Sequence, residues 1–377
     1  MINFVDYDSQ SVMSELVAQF ESALGVKLQP SDERRIFLNQ LAQVVIGLKA
    51  TVNSSGNQVL LRYASGDALD AIGEMLGVER LPSEYAQCNL LFTLSEKQDF
   101  DVFIPKGTKV TPDGKIHFAT NYDLTILAGN ITGEVVATAT EAGTEYNGYL
   151  EGQIKYISDY VSYLASVTNT SETTGGTDKE SDESLRERIR LAPESFSTAG
   201  CVDGYIYWAK SAHVNVGDVT VVSPSAGCVD IYILKADGTI PTSDDDTWLS
   251  EVKSKVSAKD KRPLTDRVDV KKPESINYAI SFNYYISEDD EANEADIRAS
   301  VRDAVREYVK WQGGKIGRDI NPDKLRSFVL SAGASRVVMT SPSDFTSLQN
   351  TQVANLTSDI SSDEKIDEIA SYKGISE

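Results

Sequence analysis

The chain is short of the residues that most enzymes, metal sites and disulfide-stabilised folds need. Its 377 residues include three cysteines, two histidines, three tryptophans and four methionines. The cysteines, Cys88, Cys201 and Cys228, are far apart and odd in number, and no two form a CxxC pair. This usage excludes a disulfide framework and a cysteine-based zinc site, and it is typical of a protein that folds in a reducing compartment.

Positive charge and long apolar runs are also scarce. The 36 basic residues face 57 acidic ones, which gives a formal net charge of −21. Such a surface repels phosphate backbones and anionic lipid. No apolar run approaches the ~20 residues of a membrane span, and the N-terminus, MINFVDYDSQ, is acidic where a signal peptide is basic. We therefore expect a protein that folds in the cytoplasm and has neither nucleic acid nor membrane as a partner.

Reactive constellations are missing as well. The pattern predicts His117 inside a β hairpin and His213 at the end of a helix, and each histidine is expected to have a core or surface role. The stretch Trp311 to Ile316 contains Gly-Lys but lacks the first glycine and the Ser or Thr of a phosphate-binding loop. There is no GxSxG and no HExxH. The prediction is a protein that is not an enzyme, with no catalytic, cofactor-binding or metal-binding residue.

Hydrophobic periodicity divides the chain into segments of different type. Apolar residues recur at helical spacing near the N-terminus, for example from Ile36 to Leu48, whereas Leu90, Phe92 and Leu94 alternate as in a strand. The predicted fold class is α+β and multidomain, with a helical N-terminal region (1–87), an inserted β domain (88–170) and two C-terminal α+β domains (171–272 and 273–340). The last segment, 341–377, has seven acidic residues and two lysines, a net charge of −5, and is expected to be a disordered tail or an arm that orders on a neighbour.

One stretch, GGTDKESDESLRERI at 175–189, combines a glycine pair, an acidic run and a short helix. The pair is predicted to act as a hinge. Ser181 is the expected N-cap, two acids favour the first turn, and Leu185 and Ile189 form one apolar face while Arg186, Arg188 and Arg190 lie on other faces. The candidate interaction and hinge residues are Gly175, Gly176, Ser181, Asp182, Glu183, Leu185, Arg186, Arg188 and Ile189.

Calcium is the sharper alternative for this stretch, because Asp178, Glu180 and Asp182 alternate as calcium ligands do. The rest of a calcium loop is absent. Glu183 stands where the loop needs glycine, and Ile189 stands where it needs glutamate. A capped helix is the favoured interpretation.

The stretch 175–189 resembles the signature segment of the baseplate J-like proteins, and four further segments resemble that family in the same order. They are the pattern of Leu69, Asp70, Gly73, Gly77, Val78 and Arg80, the strand region from IPKGT (104–108) to the Gly143–Asn147 turn, the segment around 197–224, and the strand at 262–270. The resemblance covers about 69–339. Members of this family are wedge proteins of contractile phage tails, tailocins and related contractile injection systems.

The resemblance implies a structural role assembled in the bacterial cytoplasm. Two copies would pair with a partner similar to tail protein I, with 1–87 contributing to the wedge core bundle. The C-terminal domains would join neighbouring wedges into a ring around a central hub, and a sheath-initiating protein of lysozyme-like fold would dock on the wedge. The ring would widen on sheath contraction. An adhesin or carbohydrate-binding tail module, which would use the β domain, and a hydrolase of another type are the alternatives.

Overall fold

A computed structural model of the chain describes residues 1–196, 200–243 and 245–376. These residues contain helices and strands in several domains, which confirms the α+β multidomain class. The chain separates into two compact units: residues 1–80 with 181–190, and residues 81–180 with 191–377. The chain therefore crosses between the units at 80–81, 180–181 and 190–191. Three parts of the chain lie outside the described residues. They are Ser197 to Ala199, at the start of the family-like segment 197–224; Asp244, which the acidic run Asp244 to Asp246 predicts as part of a helix cap; and Glu377.

The first unit is helical. It consists of α1 (Ser9–Leu24), α2 (Glu33–Gln58), α3 (Gly66–Glu74) and α4 (Asp182–Leu191). The carboxylates of Asp8 and Asp32 accept main-chain N–H groups at the starts of α1 and α2, which satisfies donors that a helix leaves open. Asn53 and Asn57 on α2 hold the N-terminal residues by hydrogen bonds to the main chain.

The β domain begins the second unit. Its strands are β1 (Gln87–Leu94), β2 (Val102–Ile104), β3 (Lys109–Thr111), β4 (Phe118–Thr120), β5 (Leu124–Ile126), β6 (Thr132–Ala139), β7 (Tyr156–Ile157) and β8 (Leu164–Asn169). Six of them form a sheet in the order β7-β3-β4-β6-β1-β8, and β2 pairs with β5. The predicted alternation of Leu90, Phe92 and Leu94 is confirmed, since all three are buried in the core of this domain. Strand β8 was missing from the prediction.

The central domain packs two helices against a three-stranded sheet. Its elements are α5 (Val202–Lys210), β9 (Val216–Ser225), β10 (Cys228–Lys235), α6 (Asp246–Val256) and β11 (Arg267–Lys271), and the strand order is β11-β10-β9. Tyr205, Ile231 and Val252 belong to its core. The strand predicted at 262–270 begins only at Arg267, and residues 258–266 form a loop.

The C-terminal domain has two small sheets covered by helices. It comprises β12 (Glu274–Tyr278), β13 (Ser281–Ser287), α7 (Glu294–Gly313), α8 (Pro322–Ser331), β14 (Arg336–Ser341), β15 (Gln352–Leu356), α9 (Asp363–Ile369) and β16 (Ala370–Ser376). β12 pairs with β15, and β13 lies between β14 and β16. Its core includes Phe282, Tyr284 and Tyr308.

Residues 341–376 differ from the expected tail or arm, because they complete this domain. β15 and β16 pair in parallel with β12 and β13, and Ile366 on α9 is fully buried. The acidic residues that suggested disorder face arginines of α7: Arg302 contacts Asp367 at 3.0 Å, and Arg306 pairs with Asp363. The net charge of residues 341–377 does not include these arginines, because they lie about sixty residues earlier in the chain.

Candidate functional site

The stretch 175–189 spans both compact units. Gly175 and Gly176 belong to the second unit, whereas Ser181 to Ile189 belong to the first. Gly175 has a φ of +90°, which favours glycine. Asn147 brackets Gly176, since its side chain donates to the Gly176 carbonyl at 2.7 Å and accepts from the Gly176 N–H at 2.8 Å. A Cβ at Gly176 would lie 2.4 Å from the Gly143 carbonyl oxygen, so the second glycine is required by close packing.

Three carboxylates that follow the glycine pair have separate partners. Asp178 accepts from the Thr144 N–H and hydroxyl, which lowers the pKa of Asp178. Glu180 accepts from the Leu81 N–H at 2.9 Å. Asp182 pairs with Arg80 and accepts from the Gly66 N–H. Among the described residues, no group of three or more His, Cys, Asp or Glu side chains is arranged to hold a metal ion.

The signature helix, α4, begins as the sequence predicts. The Ser181 hydroxyl accepts from the Ser184 N–H at 3.3 Å, and the Ser181 carbonyl accepts from the Leu185 N–H at 3.0 Å. Asp182 and Glu183 lie in the first turn, where the helix dipole favours negative charge. The N-cap prediction therefore agrees with the geometry.

Arg80 connects α3 to the start of α4. Its guanidinium donates to Asp70 from Nε at 2.8 Å and contacts Asp182 at 2.8 Å. The Arg80 side chain is only 8% exposed. Asp182 also accepts from the Gly66 N–H, and the Arg80 hydrogen bond, with this second one, holds the pKa of Asp182 below its usual 3.8. The two family-like segments around 69–80 and 175–189 thus meet in one cluster.

Two arginines of α4 are buried, although the sequence suggested that they lie away from the apolar face. Arg186 donates to the main-chain carbonyls of Leu61 at 2.9 Å and Ala64 at 2.7 Å. Arg188 donates to the carbonyl of Glu79. Carbonyls in turns and at helix ends have no partner within the helix, and a guanidinium supplies several donors in a fixed geometry. Arg190 is exposed.

The apolar side of α4 closes the helical unit. Leu185 and Ile189 are fully buried, as the one-turn spacing predicts. A Cβ at Gly73 would lie 3.2 Å from Cδ1 of Ile189 and 2.6 Å from the Val78 carbonyl oxygen. The glycine at 73 therefore allows α3 and α4 to approach closely, and α4 is a structural anchor of the helical unit.

The histidines have local partners. Nε2 of His213 lies 3.2 Å from a carboxylate oxygen of Glu84, its Nδ1 accepts from the Asn215 N–H, and its ring stacks on Trp248. This histidine lines a polar cleft of about 730 Å³. His117 is within 3.4 Å of the Ser158 hydroxyl. Among the described helices, none is both long and apolar enough to cross a membrane.

Three family models match successive domains of the chain. They describe a baseplate J-like protein barrel domain at residues 89–176, a central domain at 197–272 and a C-terminal domain at 278–358. Together they cover more than half of the chain and define a class of protein with a barrel followed by two α+β domains. The chain belongs to the baseplate J-like family. The helical unit and α4 lie outside the matched ranges.

A relative and a solved structure are similar to this chain. Baseplate protein J of Escherichia phage P2 is 33% identical over 175 residues, which are 46% of this chain and 56% of that protein. The chain therefore matches a little over half the length of this relative. A chain in a cryo-EM structure of the anti-feeding prophage baseplate is 11% identical, with a TM-score of 0.49 over 92% of this chain and 90% of its own.

Proposed function

We infer that the chain is a structural component of the baseplate of a contractile phage tail, a tailocin or a related contractile injection system. Family membership across the barrel, central and C-terminal domains supports this role, and so does the relative named as a baseplate protein. The inferred activity is assembly, with no bond made or broken.

An exposed apolar stripe on α2 supports assembly with other chains. Phe37, Leu41, Val44, Leu48 and Val52 are 67%, 40%, 59%, 62% and 53% exposed. Their spacing of four, three, four and four residues places them along one side of a helix. A 26-residue helix is about 39 Å long, so the stripe extends over most of it. Contiguous apolar patches of this kind are typical of interaction sites.

The other side of α2 is already used within the helical unit. Leu38 and Ala42 are buried there, together with Asn53 and Asn57. One side of α2 therefore packs within its own unit, and a separate, apolar side faces solvent. A second copy of the chain, with a partner similar to tail protein I, would cover the exposed side in a helical wedge core. Neighbouring wedges, the hub and the sheath-initiating protein would be the further partners.

Ring widening would occur by rigid-body movement of domains, as in other switching assemblies. The hinge predicted from the sequence is the pair Gly175 and Gly176. Because Asn147 holds Gly176 in place, we propose that the backbone angles change instead a few residues later, where the chain crosses between the compact units at 180–181.

Pairing through the stripe is tested by replacing Val44 with aspartate, and the same replacement at Gln43 is the matched control. Both residues are exposed neighbours on α2, but only Val44 belongs to the stripe. In sedimentation velocity at low protein concentration and 0.5 M salt, where contacts between charged surfaces are screened, Val44→Asp is expected to shift the purified full chain from dimer to monomer, while Gln43→Asp leaves the dimer intact. A wild-type chain that stays monomeric at tens of micromolar, both alone and with the co-expressed wedge partner, would refute pairing through α2.

A further inference from the structure

One end of the barrel displays aromatic and apolar side chains on three adjacent loops, 95–101, 127–131 and 158–163. We name this surface the barrel tip. Tyr160 is 93% exposed, Leu127 58%, Tyr163 50% and Phe100 45%. The rings of Phe100 and Tyr163 pack edge to face with centroids 5.4 Å apart. Aromatic side chains that stay this exposed are typical of interfaces.

Hydrogen bonds between the loops fix the barrel tip. The Ser95 N–H donates to the Tyr163 carbonyl at 3.0 Å, and the Gly129 N–H donates to the Gln98 carbonyl at 2.8 Å. Tyr163 has a φ of +69°, and it is the one non-glycine residue with positive φ in the described part of the chain. Strain of this kind persists only where the surroundings impose it. A surface that is already ordered loses little entropy when it binds.

The charge of the barrel tip indicates the chemistry of its partner. Its three loops carry four acidic side chains and one lysine, a net charge of −3, from Glu96, Asp99, Asp101, Asp159 and Lys97. Anionic lipid and nucleic acid are repelled by such a surface. A partner that combines an apolar side chain with lysine or arginine would match both the rings and the carboxylates.

The central domain of the same chain presents a surface of that description. Its segment 258–267, which is the loop 258–266 and the first residue of β11, carries four basic and two acidic side chains, a net charge of +2. We name it the basic loop. Leu264 is 93% exposed, and the Arg267 side chain is 80% exposed. Lys259 is exposed as well. Lys261 lies over the Trp208 ring and Arg262 donates to main-chain carbonyls. Lys259 and Arg267 are therefore the exposed cations of the segment. A large apolar residue this exposed is typical of an interaction surface.

The basic loop is also held in one conformation. Arg262 donates to the Ser257 carbonyl at 2.9 Å and to the Asp266 carbonyl. The Tyr205 hydroxyl donates to the Asp266 carboxylate at 2.7 Å. Leu264 is therefore presented to solvent by a loop whose base is fixed to the domain core, as a rigid anchor residue requires.

We propose that the barrel tip of one copy binds the basic loop of a second copy. Leu264 would enter among Phe100, Leu127 and Tyr160, and lysine and arginine of the loop would face the carboxylates of the tip. Since the two surfaces are different, the contact is heterologous and each copy can bind two others, which generates rings or open chains. This inference rests on the proposed function, because it assumes that copies of the chain assemble into a ring. It adds which two surfaces join one copy to the next.

The test uses the full chain carrying Val44→Asp, so that pairing through α2 does not contribute. This parent is expected to form species larger than a dimer as its concentration rises in sedimentation velocity, and 0.5 M salt should weaken them. Adding Leu264→Asp or Tyr160→Asp should weaken self-association at least tenfold. Both positions are exposed, so an unchanged circular dichroism spectrum is expected for each variant.

The decisive experiment mixes the two variants. A Leu264→Asp chain keeps its barrel tip and a Tyr160→Asp chain keeps its basic loop, so a 1:1 mixture should form a heterodimer and nothing larger. A parent that does not self-associate, a mixture without heterodimer, or a glycan-array signal that Tyr160→Asp abolishes would overturn the proposal. The last result would assign the tip to carbohydrate. Failure here leaves the α2 test intact, because that test compares Val44→Asp with the natural chain at low concentration and 0.5 M salt, where the charged contact between tip and loop is screened and the apolar pairing through α2 is not.

Discussion

Replacing Arg186 with alanine should destabilise the helical unit and leave the rest of the chain unchanged. Arg186 is 6% exposed and donates to the carbonyls of Leu61 and Ala64. A buried acceptor left without a donor costs about 1–3 kcal/mol. The bond to Ala64 is buried and the bond to Leu61 is partly buried, so losing both costs roughly 2–4 kcal/mol. That is a large part of the roughly 5–15 kcal/mol that stabilises a domain. The unit has fewer than one hundred residues, and in that size range each kcal/mol lowers the melting temperature by about 4–8 °C.

The natural tryptophans make the assay selective. All three, at positions 208, 248 and 311, lie in the second unit, so tryptophan fluorescence does not report on the helical unit. Thermal unfolding followed by circular dichroism at the helical band should show an early transition in Arg186→Ala, while the fluorescence transition stays where it was. Arg190→Ala, at an exposed position of the same helix, should change neither. If both signals shift together, or if neither shifts, the anchoring role of Arg186 is refuted.

Three further outcomes are expected. Gly73→Ala should destabilise the helical unit by about 1–3 kcal/mol despite the better helix propensity of alanine, because the new Cβ would lie 2.6 Å from the Val78 carbonyl oxygen. The control Gly47→Ala, whose Cβ would have no atom within 4 Å, should be neutral or stabilising. The hydrogen bond from Arg80 lowers the folded-state pKa of Asp182 below 3.8. The ionised Asp182 therefore stabilises the fold above pH 3.8, and this stabilisation is lost as the pH falls through the folded-state pKa. The urea midpoint of Asp182→Asn should fall less between pH 5 and pH 2.5 than that of the wild type, and parallel curves would contradict this. Ile366→Asp places a charge at a fully buried position, so it should unfold the C-terminal domain and shift tryptophan fluorescence. The same charge at exposed Ser361 should do neither. An unchanged Ile366→Asp chain would mean that 341–376 is dispensable for the fold.

Local pattern was enough to predict the elements whose structure is decided within a few residues. The alternation of Leu90, Phe92 and Leu94 shows β1 directly, and the Ser181 cap followed by two acids shows where α4 begins. Leu185 and Ile189 were predicted on one face because helical spacing requires it. The family was also accessible from sequence, since its segments occur in order along the chain.

Distant partners decided the features that the sequence did not predict. The sequence pattern favours a solvated face for Arg186 and Arg188, because arginine is usually exposed. Nothing local shows that carbonyls more than one hundred residues earlier need donors. The acidic segment after residue 340 suggested disorder because its counter-charges, including Arg302, lie on α7. Strand β8 was missed because its residues, LASVTN, alternate weakly, and its pairing with β1 is what defines it.

Cryo-EM of intact contractile particles from cells that carry this sequence tests the baseplate role most directly. The account predicts density for the barrel, central and C-terminal domains in the baseplate, with α2 packed against helices of a neighbouring chain. Particles with a complete baseplate and no copy of this chain would contradict it.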